Sequence, residues 1–221
     1  MDKELQLVLS QMNDEKAAEI HGVKVFTGNI ARHEVVAFKC GIGKVNSALA
    51  AYRVLSELKP DLVINSGVAG GTDESVHIGD VLVADKIAYH DVWCGPGTVY
   101  GTADGYSTYF TPRQQYLDAA KAIAGNCNCP VRFGLLCSGD KFISTPEEVR
   151  EIKSHFPDSL GCDMESASLA QTCALLDVPF LVVRVMSDMP GGGENISEYQ
   201  NFWSEAPERT FGVVSTLLNN L

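Results

Sequence analysis

Two stretches, DLVINSGVAGG (61–71) and PFLVVRVMSD (179–188), decide the fold class, because each begins as an almost continuously apolar run and ends in small or charged residues. Strands that are covered on both faces have this composition, since neither face meets water. Between and around them, short apolar runs rich in β-branched residues alternate with segments of helical period. The sequence therefore predicts an α/β fold with a mixed central sheet and helices packed around it.

The same patterns predict the order of the elements along the chain. Strands are expected at 23–28, 33–40, 61–67, 80–90, 131–143 and 179–188, and helices at 44–58, 113–124, 145–156, 163–176 and from about 195 to 221. No repeat or linker interrupts this order, so residues 1–221 are predicted to form one domain. The Gly- and Tyr-rich stretch 95–112 is too aromatic for a tether and is expected to be a functional loop.

Composition excludes several classes of partner. The formal net charge is -11, so binding to nucleic acid backbones or to an anionic membrane is not expected. The sequence has no apolar stretch that would span a membrane and no secretory signal pattern at its N-terminus. Seven cysteines, an odd number with several members in apolar runs, indicate reduced thiols and therefore a cytoplasmic protein. Cys127-Asn-Cys129 lacks zinc-site spacing and a second pair of ligands, and we expect neither a metal nor an organic cofactor.

Four places have glycines or charges at the carboxyl ends of predicted strands, where open α/β sheets bind ligands. They are Cys40 to Lys44, Asn65 to Gly71, Asp163 to Ala167 and Arg184 to Asp188. Glycines let the backbone approach a ligand closely, although both glycine segments are also compatible with a plain structural turn. The second segment is not a phosphate-binding P-loop, because the Gly-Lys-Ser/Thr ending is missing.

The charged residues of the last two places have specific requirements. Arg184 stands in a buried strand and needs a carboxylate partner or a polar cavity. Asp188 ends this strand and is a candidate catalytic residue, with a solvent-exposed loop start as the alternative. Asp163 and Glu165 open a predicted helix roughly 200° apart, so one of them should face the ligand, although the helix dipole alone also favours acids there.

Six sequence blocks together resemble the nucleoside phosphorylase and nucleosidase superfamily, and within it the 5'-methylthioadenosine/S-adenosylhomocysteine nucleosidases. The blocks are GIGKVNSA (41–48), INSGVAGG (64–71), IGDVLVADKIAYHD (78–91), SGDKFI (138–143), MESAS (164–168) and VVRVMSD (182–188). The resemblance covers nearly the whole chain. It implies a nucleoside phosphorylase-like fold with a partly barrel-like sheet, and hydrolysis of both nucleosides to adenine and a thio-ribose.

The resemblance also implies the roles of the site residues. Asp188 would protonate the purine N7, Glu165 would hold the ribose hydroxyls, and Glu4 would activate water. A neutral base leaves more easily than an anion, and a carboxylate stabilises the oxocarbenium charge of the ribosyl group. Backbone at Phe142 or Ile143 would read the adenine edge. The implied substrate-binding residues are Ile42, Val68, Ala69, Gly70, Phe142, Ile143, Met164, Arg184, Ser187 and Tyr199.

Two departures from the nucleosidase pattern and one contrast with the phosphorylases affect these expectations. Met1 to Leu5 aligns with a Met-rich turn that follows the family's first strand, and the chain begins without that strand, so an unpaired sheet edge is expected next to the site. Val68 replaces a serine that is common in the nucleosidases. The segment Ile64 to Gly67 lacks the arginine with which the superfamily's phosphorylases bind phosphate, which favours water as the nucleophile.

His90, Asp91 and the aromatic loop 93–109 fall where the family builds its dimer interface, so the resemblance implies a homodimer. A loop that packs on itself is the alternative. Tyr199 and Phe202 resemble a lid whose aromatic ring covers adenine. Three other functions remain open: a phosphorolytic purine or uridine phosphorylase, a hydrolase of aminodeoxyfutalosine, and a catalytically inactive sensor of adenosine compounds.

Overall fold

The computed structural model describes residues 2–103, 105–190, 197, 199, 202 and 208–221. The strands are β1 (Asn13–Ile20), β2 (Val23–Ile30), β3 (His33–Phe38), β4 (Val63–Gly71), β5 (Val81–Tyr89), β6 (Val131–Ser138), β7 (Ser159–Asp163) and β8 (Phe180–Asp188). The helices described over their whole length are α1 (Asp2–Leu9), α2 (Lys44–Leu58), α3 (Gln114–Ile123), α4 (Pro146–His155), α5 (Ser166–Leu175) and α6 (Glu208–Leu218). Within these ranges, no helix is long and apolar enough to cross a membrane.

Five of the strands close into a barrel in the order β4-β7-β6-β5-β8. β8 runs parallel to β4 and antiparallel to β5, and β6 runs parallel to both β5 and β7. Helices α5 and α6 pack against β8, and every residue of this strand is buried. The predicted α/β fold with a mixed, partly barrel-like sheet and flanking helices is therefore confirmed.

A separate antiparallel sheet contains β1, β2 and β3. The sequence pattern does not predict β1, whose residues NDEKAAEI are exposed at every position but the last. A strand that is exposed on both faces shows no alternation of apolar and polar residues, so it carries no strand signal. Backbone pairing with β2, rather than burial of side chains, defines this strand.

The predicted helix 163–176 is wrong at its start. Ser159–Asp163 forms β7, which pairs with β6 and β4, and α5 begins at Ser166. Asp163 therefore ends a strand, and Glu165 occupies the N-cap position of α5. The two acids therefore do not lie on opposite faces of one helix: β7 places Asp163, and the start of α5 places Glu165.

β4 extends through the glycine segment that the sequence suggested was a ligand-binding loop or turn. Its glycines make room for neighbouring groups: a Cβ on Gly70 would stand 2.7 Å from Pro190 Cγ. The predicted strand 131–143 is too long, since β6 ends at Ser138. The expected turn at Met1 to Leu5 is also corrected, because Asp2–Leu9 forms α1.

Pairing differs between the two edges of β4. One edge pairs along its length with β8, whereas in the described part of the chain the other edge pairs only through Gly70 and Gly71, with β7. The open edge runs beside the region where the predicted site residues gather.

The aromatic loop 93–109 is anchored at its middle. Gly101 has a φ of +80°, and a Cβ there would stand 2.8 Å from the Tyr89 carbonyl oxygen. The Tyr100 hydroxyl donates a 3.0 Å hydrogen bond to the carbonyl of His90. Trp93 and Val99 remain exposed to solvent. The loop is therefore held against the barrel while two large apolar side chains point outward.

Candidate active site

Asp188 meets the glycines of β4 at one end of the barrel. The parallel register places Gly70 opposite Asp188, which is almost fully buried. The Ser187 hydroxyl donates a 2.7 Å hydrogen bond to Asp188 Oδ1, and Asp188 Oδ2 lies 3.4 Å from the position of a Cβ on Gly70. The alternative of a solvent-exposed Asp188 is therefore wrong. Ser187 and Gly70 both lie beside the predicted acid.

Arg184 has the buried carboxylate partner that its position in an apolar strand predicts. Its Nε donates a 2.9 Å hydrogen bond to Asp163 Oδ2. The hydroxyls of Ser138 and Ser166 also donate to Asp163. Burial by itself lowers the pKa of Arg184, but the charge of Asp163 and the other nearby carboxylates raise it above its ordinary value. The guanidinium is thus held charged inside the barrel.

Glu4 reaches the same place from α1. Its Oε1 lies 3.0 Å, and Arg184 Nη1 lies 3.1 Å, from the point where a Cβ on Gly67 would stand. Because Gly67 has no side chain, both charged groups approach the backbone of β4 closely. The predicted water-activating acid and the buried cation therefore converge on one residue of the glycine segment.

Glu165 connects α5 to the first glycine segment. Its Oε1 accepts a 3.0 Å hydrogen bond from the backbone N–H of Gly43. Burial and the charge of Asp163 raise the pKa of Glu165, and the charge of Glu4 adds to this effect. The Gly43 hydrogen bond and Arg184 act in the opposite direction. Glu165 therefore shares one electrostatic environment with the groups around Gly67.

Phe142, Ile143 and Tyr199 lie together at the loop that follows β6. The ring centroids of Phe142 and Tyr199 are 5.7 Å apart with an interplanar angle of 75°, an edge-to-face contact. Ile143 is buried, and Phe142 is partly exposed. Residues 191–196, which lead into the predicted lid, lie outside the described residues. The ring of Tyr199, which belongs to the predicted lid, nevertheless contacts the loop predicted to bind adenine.

The other predicted binding residues are distributed around these groups. Ala69 is buried in β4 and Val68 is half-buried beside it. Met164 is half-buried between β7 and α5. The side chain of Ile42 is mainly exposed, and its neighbour Gly43 makes the contact with the site. The structure thus brings Asp188 together with Ser187 and Gly70, Glu4 together with Arg184 and Gly67, and Glu165 together with Gly43. The side chain of Ile42, by contrast, faces outward.

Comparison with known proteins identifies the family to which this chain belongs. A sequence profile described as "Phosphorylase superfamily" matches residues 1–219. The chain belongs to this superfamily. The 5'-methylthioadenosine/S-adenosylhomocysteine nucleosidase of Lysinibacillus sphaericus (strain C3-41) is 35% identical, with 100% of this chain and 96% of the relative covered. The nucleosidase of the same name from Staphylococcus aureus (strain bovine RF122 / ET3-1) is 33% identical, with 100% and 97% covered.

Solved structures of superfamily members agree with this relation. The nucleosidase of Neisseria meningitidis in complex with methylthio-immucillin-A is similar with a TM-score of 0.95 and 32% identity, covering 100% of this chain and 96% of that one. The nucleosidase of Colwellia psychrerythraea 34H in complex with adenine gives a TM-score of 0.94 and 31% identity, covering 100% and 92%.

Sequence reasoning does not identify the partner of Arg184 and does not assign a role to Asp140. The buried Arg184 predicts that a carboxylate partner exists, but the sequence pattern places Asp163 at a helix start and does not show that it is this partner. Asp140 accepts a 2.7 Å hydrogen bond from the backbone N–H of Lys44. Nothing local marks Asp140, because its contact joins residues that are far apart in the sequence.

Proposed function

We propose that this chain hydrolyses the N-glycosidic bond of 5'-methylthioadenosine and S-adenosylhomocysteine, releasing adenine and the thio-ribose. The relatives named above are nucleosidases for these two compounds, and solved structures of such relatives hold a nucleoside analogue or adenine. Two of the three acids that this chemistry requires, Asp188 and Glu4, lie against glycines of β4. The third, Glu165, contacts Gly43 and interacts electrostatically with Glu4 and Arg184.

One observation carries the choice of water over phosphate. Arg184, the buried cation next to Gly67, is surrounded by the negative charges of Asp163, Glu165 and Glu4. A phosphate dianion at this place would be repelled by three carboxylates and attracted by one guanidinium. A neutral water molecule meets no such repulsion and finds acceptors for its protons. The site therefore favours hydrolysis over phosphorolysis.

In the proposed reaction, the bond between ribose C1' and purine N9 breaks and N9 keeps the electron pair. Asp188 gives a proton to N7, so adenine leaves as a neutral base. Glu165 binds the ribose hydroxyls, and its negative charge stabilises the oxocarbenium character of the sugar. Water then bonds to C1' as Glu4 takes a proton from it. Arg184, held by Asp163, places a positive charge beside Glu4.

The test is adenine release from 5'-methylthioadenosine by the full chain in phosphate-free buffer, followed by chromatography. We expect adenine and free methylthioribose in equal amounts, with a rate that does not change when phosphate is added. Formation of a ribose 1-phosphate that depends on phosphate would contradict hydrolysis. Tight binding of the nucleoside without release would favour a sensor, and a parallel assay with aminodeoxyfutalosine compares that substrate.

We also propose that the protein is a homodimer with loop 93–109 in the interface. Trp93 and Val99 are 58% and 66% exposed, and on α2 the side chains of Val45 and Leu49 are 67% and 51% exposed. Leu175, which lines a surface cavity together with Val45, is 61% exposed. Large exposed apolar groups on this loop and on α2 indicate a protein contact. Light scattering should give twice the 23.9 kDa chain mass.

Two further proposals concern the whole chain. We propose that residues 1–221 act as one nucleosidase domain, supported by the superfamily match over residues 1–219. We propose a cytoplasmic location, supported by Cys137, Cys162 and Cys173, which are buried free thiols. Burial raises the pKa of Cys137 and Cys173 to about 12, so these thiols stay neutral and unreactive at ordinary pH.

A further inference from the structure

The first turn of α2 is held by two carboxylates from different parts of the chain. Glu165 Oε1 accepts a 3.0 Å hydrogen bond from the N–H of Gly43, and Asp140 Oδ1 accepts a 2.7 Å hydrogen bond from the N–H of Lys44. Gly43 is the N-cap of α2 and has no side chain to cap the helix. Asp140, from the loop after β6, supplies the acceptor that the helix start lacks.

Asp140 is itself fixed at two points. Its backbone N–H donates a 2.8 Å hydrogen bond to Asp91 Oδ2, and the same oxygen accepts a 2.8 Å hydrogen bond from Lys44 Nζ. The side chains of Lys44 and Asp91 are 24% and 27% exposed, so water screens this ion pair only in part. The end of β5, the loop after β6 and the start of α2 are therefore tied together at one place.

Gly43 needs this restraint because of its backbone. Its φ is +87°, and a Cβ there would stand 2.9 Å from Asp140 Oδ1. Glycine has more conformational freedom than any other residue, so without a restraint the Gly43 N–H would sample many directions. Hydrogen bonds to two successive amides fix both dihedral angles of Gly43, since each peptide unit is planar.

We propose that Asp140 is a positioning residue that orients Glu165 through the Gly43 amide, an inference that rests on the proposed function. Asp140 also stands two residues before Phe142, whose ring meets Tyr199. One side chain thus sets the distance between the loop assigned to adenine and the acid assigned to the ribose. Asp140 acts through other residues and is not assigned a contact with the substrate.

The sign of a pH effect separates positioning from simple charge. Glu165 is faced by Asp163, Arg184 and Glu4, and by the N–H of Gly43. The Gly43 hydrogen bond lowers the pKa of Glu165, so loosening Gly43 raises this pKa and moves the acid limb of kcat/KM to higher pH. Loss of the negative charge of Asp140 alone would move the limb to lower pH.

The experiment measures kcat, KM and the acid limb of kcat/KM with 5'-methylthioadenosine for the full chain, Asp140→Ala and Asp140→Asn, together with thermal unfolding. Asp140→Ala should lower kcat/KM about tenfold, the value of one charge-assisted hydrogen bond, and shift the limb upward. Asp140→Asn retains an acceptor for the Lys44 N–H and should lose less. If Asp140→Ala does not fold, Asp91→Ala, which removes the acceptor of the Asp140 backbone N–H and leaves the Asp140 carboxylate in place, should still show an upward shift.

Asp73→Ala is the matched control. Asp73 also pairs with a lysine, Lys153, at 2.5 Å and accepts a 3.1 Å hydrogen bond from a backbone N–H, that of Ser75, but away from the site. It should lower the unfolding temperature without moving the limb. An unmoved or lowered limb in Asp140→Ala, or equal losses in both Asp140 variants, would overturn the positioning role while adenine release by the unchanged protein still supported the function. No adenine release by the unchanged protein would overturn both.

Discussion

Two ion pairs of almost equal length lie in very different surroundings. Arg184 and Asp163 are 2.9 Å apart inside the barrel, with side chains 3% and 2% exposed. Arg113 and Asp177 are 3.0 Å apart on the surface, with side chains 53% and 96% exposed. Exposed pairs contribute little to stability, whereas breaking a buried pair leaves an uncompensated charge in the interior. Burial, and not the distance between the atoms, therefore distinguishes the energetic contributions of the two pairs.

The largest expected effect is that of removing the buried acid at the end of β8. Asp188→Asn should lower kcat by about 10²- to 10⁴-fold, because the amide cannot protonate N7. The fold should survive, since Asn has the same shape and an amide oxygen that can accept the hydrogen bond from the Ser187 hydroxyl. Steady-state adenine release and thermal unfolding measure the two effects.

Asp177→Asn is the exposed counterpart and should leave both quantities unchanged. If Asp188→Asn kept turnover within a few fold of the unchanged protein, the assignment of Asp188 as the proton donor would be wrong. The buried carboxylate would then have a structural role only.

How much of this contrast could be predicted from the sequence depends on the residue. An arginine within the apolar run FLVVRV would be buried, and a buried charge requires a partner of opposite charge, so the existence of a buried pair is predictable. Its partner is not, because Asp163 ends a short strand, SLGCD, whose pairing with β6 and β4 is entirely long-range. β1 escapes prediction for a related reason, since side chains exposed on both faces leave no periodic pattern.

The second prediction tests the stability of the two pairs directly. Arg184→Met replaces the guanidinium with a shorter, unbranched apolar side chain and leaves Asp163 without its cation. The Ser138 and Ser166 hydroxyls and the Ser166 N–H remain as donors. The free energy of unfolding should fall by about 3–5 kcal/mol, measured by urea denaturation. A double variant, Arg184→Met with Asp163→Leu, should recover part of this loss. A loss below 1 kcal/mol in the single variant would show that the buried pair behaves as a surface pair does.

The third prediction concerns pH, because the two regions shift the pKa of carboxylates in opposite directions. Burial and the charge of Asp163 raise the pKa of Glu165. The hydrogen bond from Lys141, together with the Ser144 amide, lowers the pKa of Glu148 at the start of α4 to about 2. The stability that Glu148 contributes is therefore present above its ordinary pKa and is lost as the pH falls toward 2. Glu165, whose pKa is raised, becomes protonated at a higher pH during the same acidification.

On lowering the pH, kcat/KM should thus fall about tenfold per pH unit below the pKa of Glu165 while the far-ultraviolet circular dichroism stays unchanged. Glu165→Gln, which cannot ionise, should have low activity without this limb. Coincidence of the acid limb with unfolding, or an identical limb in Glu165→Gln, would contradict the assignment.

The smallest expected effect is that of the exposed pair. Arg113→Ala removes the ion pair with Asp177 and should change the free energy of unfolding by less than about 1 kcal/mol, because both side chains stand in water and salt screens their attraction. The variant should also retain full turnover, since the pair lies at the start of α3, away from the carboxyl ends of β4 and β8. Urea denaturation at low and high salt measures the effect, and the difference from the unchanged protein should shrink as salt is added. A loss as large as that of Arg184→Met would mean that burial does not decide the value of an ion pair in this protein, and the comparison between the two regions would fail at its premise.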